Sequence, residues 1–349
     1  MTVRIAFVED ALSARTGASR FVREIAASLG PTTVLVAGAG APPRAEDAVA
    51  EAFVAGAHDL WIFFGTDDVA LRLVPLGLRG AVVIPLLERV HGAPDAHFQA
   101  LVLSRFAAFS RALHDRLQAL RCRSAVFRYA PPPGPSVERP QRRGEWAAFF
   151  PEATPHEVPN APSVIAQCRV LGIARLHVHR PGEDPAGALD AAALVRLGRI
   201  DGVAVTTSGS ADTSAAAAAA RSAHVVFAPR LHDGLGHEIT EAMAAGKVVV
   251  APDRPAANEL LVHLESGILY DPRRPEALPP LSAQRLLALS AGATARVAAT
   301  HAAWAADVDR FVSLLLDDGR RWAASDSSAS FANAVAKRAH ERRISAGRK

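Results

Sequence analysis

Short, uninterrupted apolar runs alternate with stretches of helical spacing, once through each half of the chain, and this alternation constrains the fold more than anything else in the sequence. In the first half strands are expected at Val3–Val8, Thr33–Ala37, Leu60–Phe64, Ala81–Leu86, a short one ending at Phe109, and Ser124–Tyr129. Between them, Phe21, Ile25 and Leu29 recur every four residues, which puts them on one helix face. Further helices are expected at 45–55, 95–106 and 111–120. Strands that are apolar at every position have no face to give to water, so they belong in a parallel sheet covered by helices on both sides.

The pattern breaks at Ala130-Pro131-Pro132-Pro133-Gly134-Pro135, which can continue neither a helix nor a central strand. It then resumes, with strands expected at 146–150, 175–179, 203–207, 225–228, 247–251 and 268–270. The intervening helices are expected at 163–171, 186–197, 214–222, 238–245 and 256–263, and the remainder reads as helical. The expected fold is α/β, with two doubly wound parallel-sheet (Rossmann-like) domains facing each other across a cleft. The domains are residues 1–135 and 146–320, with a linker at 136–145 and a helical basic tail, 321–349, packing back on the first domain. Ligands of such sheets bind beyond the strand C-termini at the topological switch point.

Composition removes several alternatives. Half of the 349 residues are hydrophobic, 21% are charged and the net charge is +4, which suits a chain with sizeable cores and does not mark a nucleic-acid binder. The basic residues gather instead at Lys337, Arg338, Arg342, Arg343, Arg348 and Lys349, either a solvated terminus or a weak contact with an anionic membrane surface. Two cysteines, Cys122 and Cys168, lack CxxC spacing, so a reducing compartment is expected. No leader pattern precedes the first strand and no apolar run approaches the roughly 20 residues that span a bilayer. The expected location is the cytoplasm, with peripheral contact on the inner membrane face as the alternative.

The chemistry concentrates in Val225-Val226-Phe227-Ala228-Pro229-Arg230-Leu231-His232-Asp233-Gly234-Leu235-Gly236-His237-Glu238-Ile239-Thr240-Glu241. A buried strand leads into a loop with two glycines, and a helix begins near His237. Glycines let the backbone approach a ligand, and a helix N-terminus aims free N–H groups at it, an arrangement suited to a diphosphate. Glu241, one turn into the helix, is placed to accept both hydroxyls of a ribose, and Asp233 to accept hydroxyls of a sugar. A solvated or capping carboxylate is the plainer role for Glu241.

This segment resembles the donor-binding signature of the GT-B glycosyltransferases, specifically the retaining bacterial group 1 (family 4) enzymes. There an acidic residue is followed by Gly-Phe-Gly, then by a Glu eight residues after the first acid, then by Ala-Met-Ala-x-Gly. Asp233 and Glu241 keep that spacing, with Asp for the usual Glu and Leu235 for Phe, and Ala242-Met243-Ala244-Ala245-Gly246 follows. The likeness continues through Ala257-Asn258-Glu259 and Ser266-Gly267-Ile268 to about Pro272. It implies hexosyl transfer with retention, without metal or other cofactor, from a UDP- or GDP-sugar. The acceptor would be a glycan, a lipid-linked glycan or a small molecule, as in polysaccharide biosynthesis. Gly234, Leu235, Gly236, His237, Glu238 and Glu259 would then surround the donor. Thr16-Gly17-Ala18-Ser19-Arg20 resembles the glycine-rich loop after the first strand, giving Gly17, Ser19 and Arg20 acceptor-side roles.

Two departures matter. The family carries an Arg and a Lys after the second domain's first strand, to neutralise the donor diphosphate; here residues 151–160 contain neither. Arg180 and Arg230, each beyond a strand end, are the candidate substitutes. The family also tends to place a His after the fourth strand, and Glu88 or His91 takes that position. Gly38-Ala39-Gly40 lacks the third glycine of a dinucleotide fingerprint, Pro43 standing there. His177 and His179 share a strand face without a visible third metal ligand. Other outcomes on the same scaffold are a catalytically weak or inactive binding protein and a sugar-nucleotide epimerase.

Overall fold

The computed structural model describes residues 3–10, 17–37, 45–135, 145–153, 158–180 and 189–316. The basic tail, Gly38–Gly40 with Pro43, and nearly all of the expected linker lie outside the described residues. The chain divides into two compact units, one formed by Met1–Tyr129 with the residues from Ala302 onward, the other by Ala130–His301. The second unit therefore begins ahead of the expected linker and ends well before residue 320.

In the first unit β1 (Ile5–Glu9), β2 (Thr32–Val36), β3 (Leu60–Phe64), β4 (Val82–Ile84), β5 (Arg105–Ala108) and β6 (Arg123–Val126) form one sheet in the order β2-β1-β3-β4-β5-β6. Every neighbouring pair is parallel. The strands alternate with α1 (Gly17–Leu29), α2 (Ala45–Val54), α3 (Asp67–Leu73), α4 (Leu87–Val90), α5 (Asp95–Ala100) and α6 (Arg111–Ala119). β1 and β3 are buried at every position, as the apolar character of β3 and of Ile5–Val8 requires, and Glu9 at the end of β1 is buried with them.

The second unit contains β7 (Ala147–Pro151), β8 (Arg175–His179), β9 (Ala204–Ser208), β10 (Val225–Phe227), β11 (Val248–Pro252) and β12 (Ile268–Tyr270). They pair in parallel in the order β12-β11-β10-β7-β8-β9. Helices α7 (Ala161–Leu171), α8 (Ala191–Ile200), α9 (Thr213–Ser222), α10 (His237–Ala244) and α11 (Ala257–Leu260) connect them, and α12 (Ala283–Leu316) follows. Phe150, Val178, Phe227 and Val250 sit in the core on one face, Val249 and Ala251 with Ile239 and Met243 on the other. Strand order reverses between β1 and β3 in the first sheet and between β7 and β10 in the second. The second reversal puts the segment after β10 where doubly wound sheets bind ligands.

Several elements differ from expectation. The helix read as 95–106 stops at Ala100, because Phe106 enters the sheet beside β4 and is completely buried there. The one read as 256–263 shortens to α11, since Leu261 already has extended backbone. Two short helices, α3 and α4, follow strand ends with too few residues to show a periodicity. Among the described residues no helix is long and apolar enough to cross a membrane.

The stretch of α12 from Ala302 onward belongs to the first unit for a physical reason. Trp304 and Phe311 pack with Phe21, Phe127 and Tyr129, ring centroids lying 4.9 to 5.9 Å apart in the closest pairs. Arg310 lies over the Phe127 ring at 4.5 Å and donates to the Val126 carbonyl at 2.8 Å. Trp304→Ala should cost about 3–5 kcal/mol of stability in urea denaturation. An unchanged midpoint would mean that the end of α12 is not part of this core.

Candidate functional site

β10 ends at Phe227 and the chain leaves the sheet through Ala228-Pro229-Arg230, reaching α10 ten residues later. The register Val225↔Ala148 and Val226↔Phe149 sets this exit beside β7. Asp233, Gly234, Leu235 and Gly236 are all buried. Gly236 is the N-cap of α10 with φ 62° and ψ 25°, the left-handed region that glycine adopts without strain. A Cβ there would come within 2.1 Å of Leu260 Cδ1, so a side chain at this position would also have to displace Leu260.

Inside the loop the geometry departs from expectation. The amides of Leu235 and Gly236 donate to Asp233 Oδ1 at 3.2 and 2.8 Å. Asp233 is only 4% exposed. A short acidic side chain readily folds back onto backbone N–H groups two and three residues ahead. Asp233 thus braces the turn: of the two glycines expected to present amides to a diphosphate, Gly236 gives its N–H to the loop's own carboxylate, as does Leu235 between them. What remains for an anion is the first turn of α10, where His237, Glu238 and Ile239 have N–H groups without intrahelical acceptors.

Around that turn, Glu241 is exposed, eight residues beyond Asp233. Glu238 Oε2 is buried with no hydrogen-bond partner among the described residues. Its Oε1 lies 3.9 Å from the Arg230 guanidinium, the limit of an ion pair. Burial pushes the Glu238 carboxyl upward; Asp233 and Glu241 add to the shift, while Arg230 and His237 oppose it. Glu259 is half-buried on α11, where its neighbour Asn258 donates to Asp253 Oδ1 at 2.9 Å.

Arg180 is engaged elsewhere. Its Nε donates to Glu152 Oε2 at 2.5 Å, and one terminal nitrogen donates to the Leu189 carbonyl at 2.6 Å. The same Glu152 accepts from the Ala161 amide at 2.6 Å, so one buried carboxylate ties the ends of β7 and β8 to the start of α7. The expected diphosphate role for Arg180 gives way to this pairing, since a buried carboxylate needs its counter-ion close. Lys247 is likewise committed, with Nζ donating to the Ala220 and Arg221 carbonyls at the end of α9. Glu152, which the sequence left as part of a loop without a cation, is the residue this reading missed.

In the first unit, Gly17 opens α1 and Arg20 is exposed on it. Ser19 lies within that helix and donates to Glu9, whose other carboxylate oxygen accepts from Arg23 at 2.9 Å. Asp10, also completely buried, pairs with Arg89 at 2.8 Å. The apolar first strand ending in two acids, Glu9-Asp10, was the signal for this network, which the sequence reading did not use. Glu88 is half-buried on α4, and the exposed His91 one turn on donates from Nδ1 to the Glu88 carbonyl at 3.1 Å. His177 and His179 both bond the Ser208 hydroxyl, and His177 also bonds Thr206. Among the described residues no group of three or more potential metal ligands occurs.

Residues 159–287 match the family model of glycosyl transferases group 1. The chain has the GT-B fold, and part of its second unit is similar to group 1 glycosyltransferases. That segment contains β10, the Asp233 loop, α10 and Glu241. No curated protein matches the chain. Among solved structures, sucrose-phosphate synthase from Thermosynechococcus elongatus is similar at TM-score 0.64 and 15% identity, over 88% of this chain and 98% of that one. HepE of Anabaena, in complex with UDP and glucose, gives 0.58 and 16%, over 88% and 99%. A glycosyltransferase from Rickettsia africae gives 0.60 and 12%, over 91% and 99%. At these identities the likeness is one of fold.

Replacing Arg180 by Met should leave Glu152 buried and unneutralised and cost about 3–5 kcal/mol in chemical denaturation. Unchanged stability, with a loss confined to ligand affinity, would return Arg180 to the ligand.

Proposed function

We propose that the chain transfers a hexose from a UDP- or GDP-sugar to an acceptor hydroxyl on a glycan, a lipid-linked glycan or a small molecule. One observation carries this reading: an exposed Glu241 follows a glycine-capped helix N-terminus at the second sheet's reversal point, within the segment that matches group 1 glycosyltransferases. The presence of UDP and glucose in the similar HepE structure supports the choice of donor class.

In this mechanism the first-turn amides of α10 and the positive end of its dipole stabilise charge developing on the leaving diphosphate. They are oriented before the reaction begins and so need no reorganisation during it. Arg230 supplies the cationic charge that Arg180 cannot. Glu241 accepts the two ribose hydroxyls. Asp233 acts at one remove, holding Leu235 and Gly236 so that the helix start stays in place. Transfer with retention and without metal follows the family resemblance, as does a cytoplasmic location, with the inner membrane face as the alternative.

The engagement of Arg180 by Glu152 favours one second reading, a protein that binds the donor without turning it over. A thermal-shift series with UDP, GDP and their sugars tests binding. A ligand at a hundred times its Kd stabilises the native state by about 2.7 kcal/mol. Glu241→Ala should lose at least tenfold in affinity for the nucleotide that binds, with little change in the stability of the empty protein. Equal affinity in wild type and variant would remove Glu241 from the site. Release of nucleoside diphosphate on addition of acceptors separates the transferase from the binder.

A further inference from the structure

A nucleoside-diphosphate sugar brings two negative charges to the start of α10, and the side chains there do not balance them in the usual way. Residues 151–160 hold no Lys or Arg, Arg180 is paired with Glu152, and Lys247 caps α9. Three acids, Asp233, Glu238 and Glu241, occur within nine residues of one another. Asp233 is turned onto the loop amides and Glu241 is exposed. Glu238 is the second residue of α10, in the turn whose amides are open to an anion.

An ionised Glu238 would be poorly placed in two respects. One of its oxygens is buried without a donor, and the guanidinium of Arg230 stops 3.9 Å from the other. A buried carboxylate oxygen without a donor is far more costly than a neutral carbonyl oxygen in the same place. The side chain as a whole is 30% exposed. We infer that Glu238 takes part in donor binding as a neutral carboxylic acid, directing its O–H at a diphosphate oxygen while its second oxygen remains a buried carbonyl. No bond other than this hydrogen bond forms or breaks. The proton stays on Glu238, and a repulsive acid becomes a donor where the usual cations are missing.

Burial drives the Glu238 carboxyl toward its neutral form, and the negative charges of Asp233 and Glu241 act in the same direction. Arg230 and His237 act against it. The inference rests on the donor site proposed above and adds the protonation state of one residue in it. Its consequence is a dependence on pH: the donor binds while Glu238 holds its proton and is repelled once the proton is lost.

The experiment measures the Kd of UDP-glucose and of GDP-mannose by calorimetry across the weakly acidic to weakly basic range, on the side toward which burial shifts the Glu238 carboxyl. The diphosphate of a nucleotide sugar has no ionisation there, so the slope reports the protein. Wild type should lose affinity as pH rises, by up to about tenfold per unit beyond the Glu238 titration. Glu238→Gln, which stays neutral and keeps an N–H donor, should bind at low pH within about threefold of wild type and lose the slope. His237→Gln should keep it. A flat wild-type profile overturns the inference, as does a Glu238→Gln profile as steep as wild type. The wild-type profile decides even where a variant fails to fold. Absence of binding by both nucleotide sugars at every pH instead removes the donor site itself, and the inference with it.

Discussion

A parallel sheet covered on both faces has no polar surface except at its strand ends, and that constraint organises each unit of this protein. Phe7, Phe63, Phe150 and Val250 are completely buried, so chemistry is displaced to the residues that follow the strands. At the end of β1 these are Glu9 and Asp10, each held by an arginine. At the ends of β7 and β8 they are Glu152 and Arg180, and after β10 they are Arg230 and the Asp233 loop. The reversal of strand order between β7 and β10 distinguishes the last of these, because the connections on either side of it diverge and leave room for a ligand.

Within that room, the balance of charge matters more than the glycines. Gly236 is needed because the backbone turns left-handed against Leu260, which explains its presence whether or not a ligand binds. In the proposed site the ligand-binding capacity would come from the first-turn amides of α10, and the selectivity from which charges near them are already committed. Asp233, one methylene shorter than a glutamate, folds onto the loop. Arg180 is consumed by a buried acid. With these two side chains committed, the remaining charges near the start of α10 are those of Arg230, Glu238 and Glu241.

The fold was legible because short apolar runs such as Leu60–Phe64 and Val225–Ala228 recur at spacings that suit a doubly wound sheet. Boundaries were less so where tertiary pairing overrides local preference. Phe98 and Leu101 set a helical spacing, yet Phe106 is drawn into β5 by its pairing with β4. The loop and helix of the candidate site were readable from Gly234, Gly236 and Glu241, whose spacing carries the pattern. The commitments of the charged groups were not, because they depend on contacts between distant positions. Nothing local to Arg180 announces that Glu152, 28 residues earlier, will claim it. Nor does the sequence around Asp233 show whether its carboxylate points at a ligand or at its own backbone.

The central claim is that α10, and not the glycine turn before it, receives the donor's diphosphate. Backbone-amide chemical-shift mapping during titration with a nucleoside diphosphate tests it most directly. The account predicts large shifts for His237, Glu238 and Ile239, with Leu235 and Gly236 changing little because Asp233 continues to hold them. Large shifts at Leu235 and Gly236 with none along the first turn of α10 would contradict it.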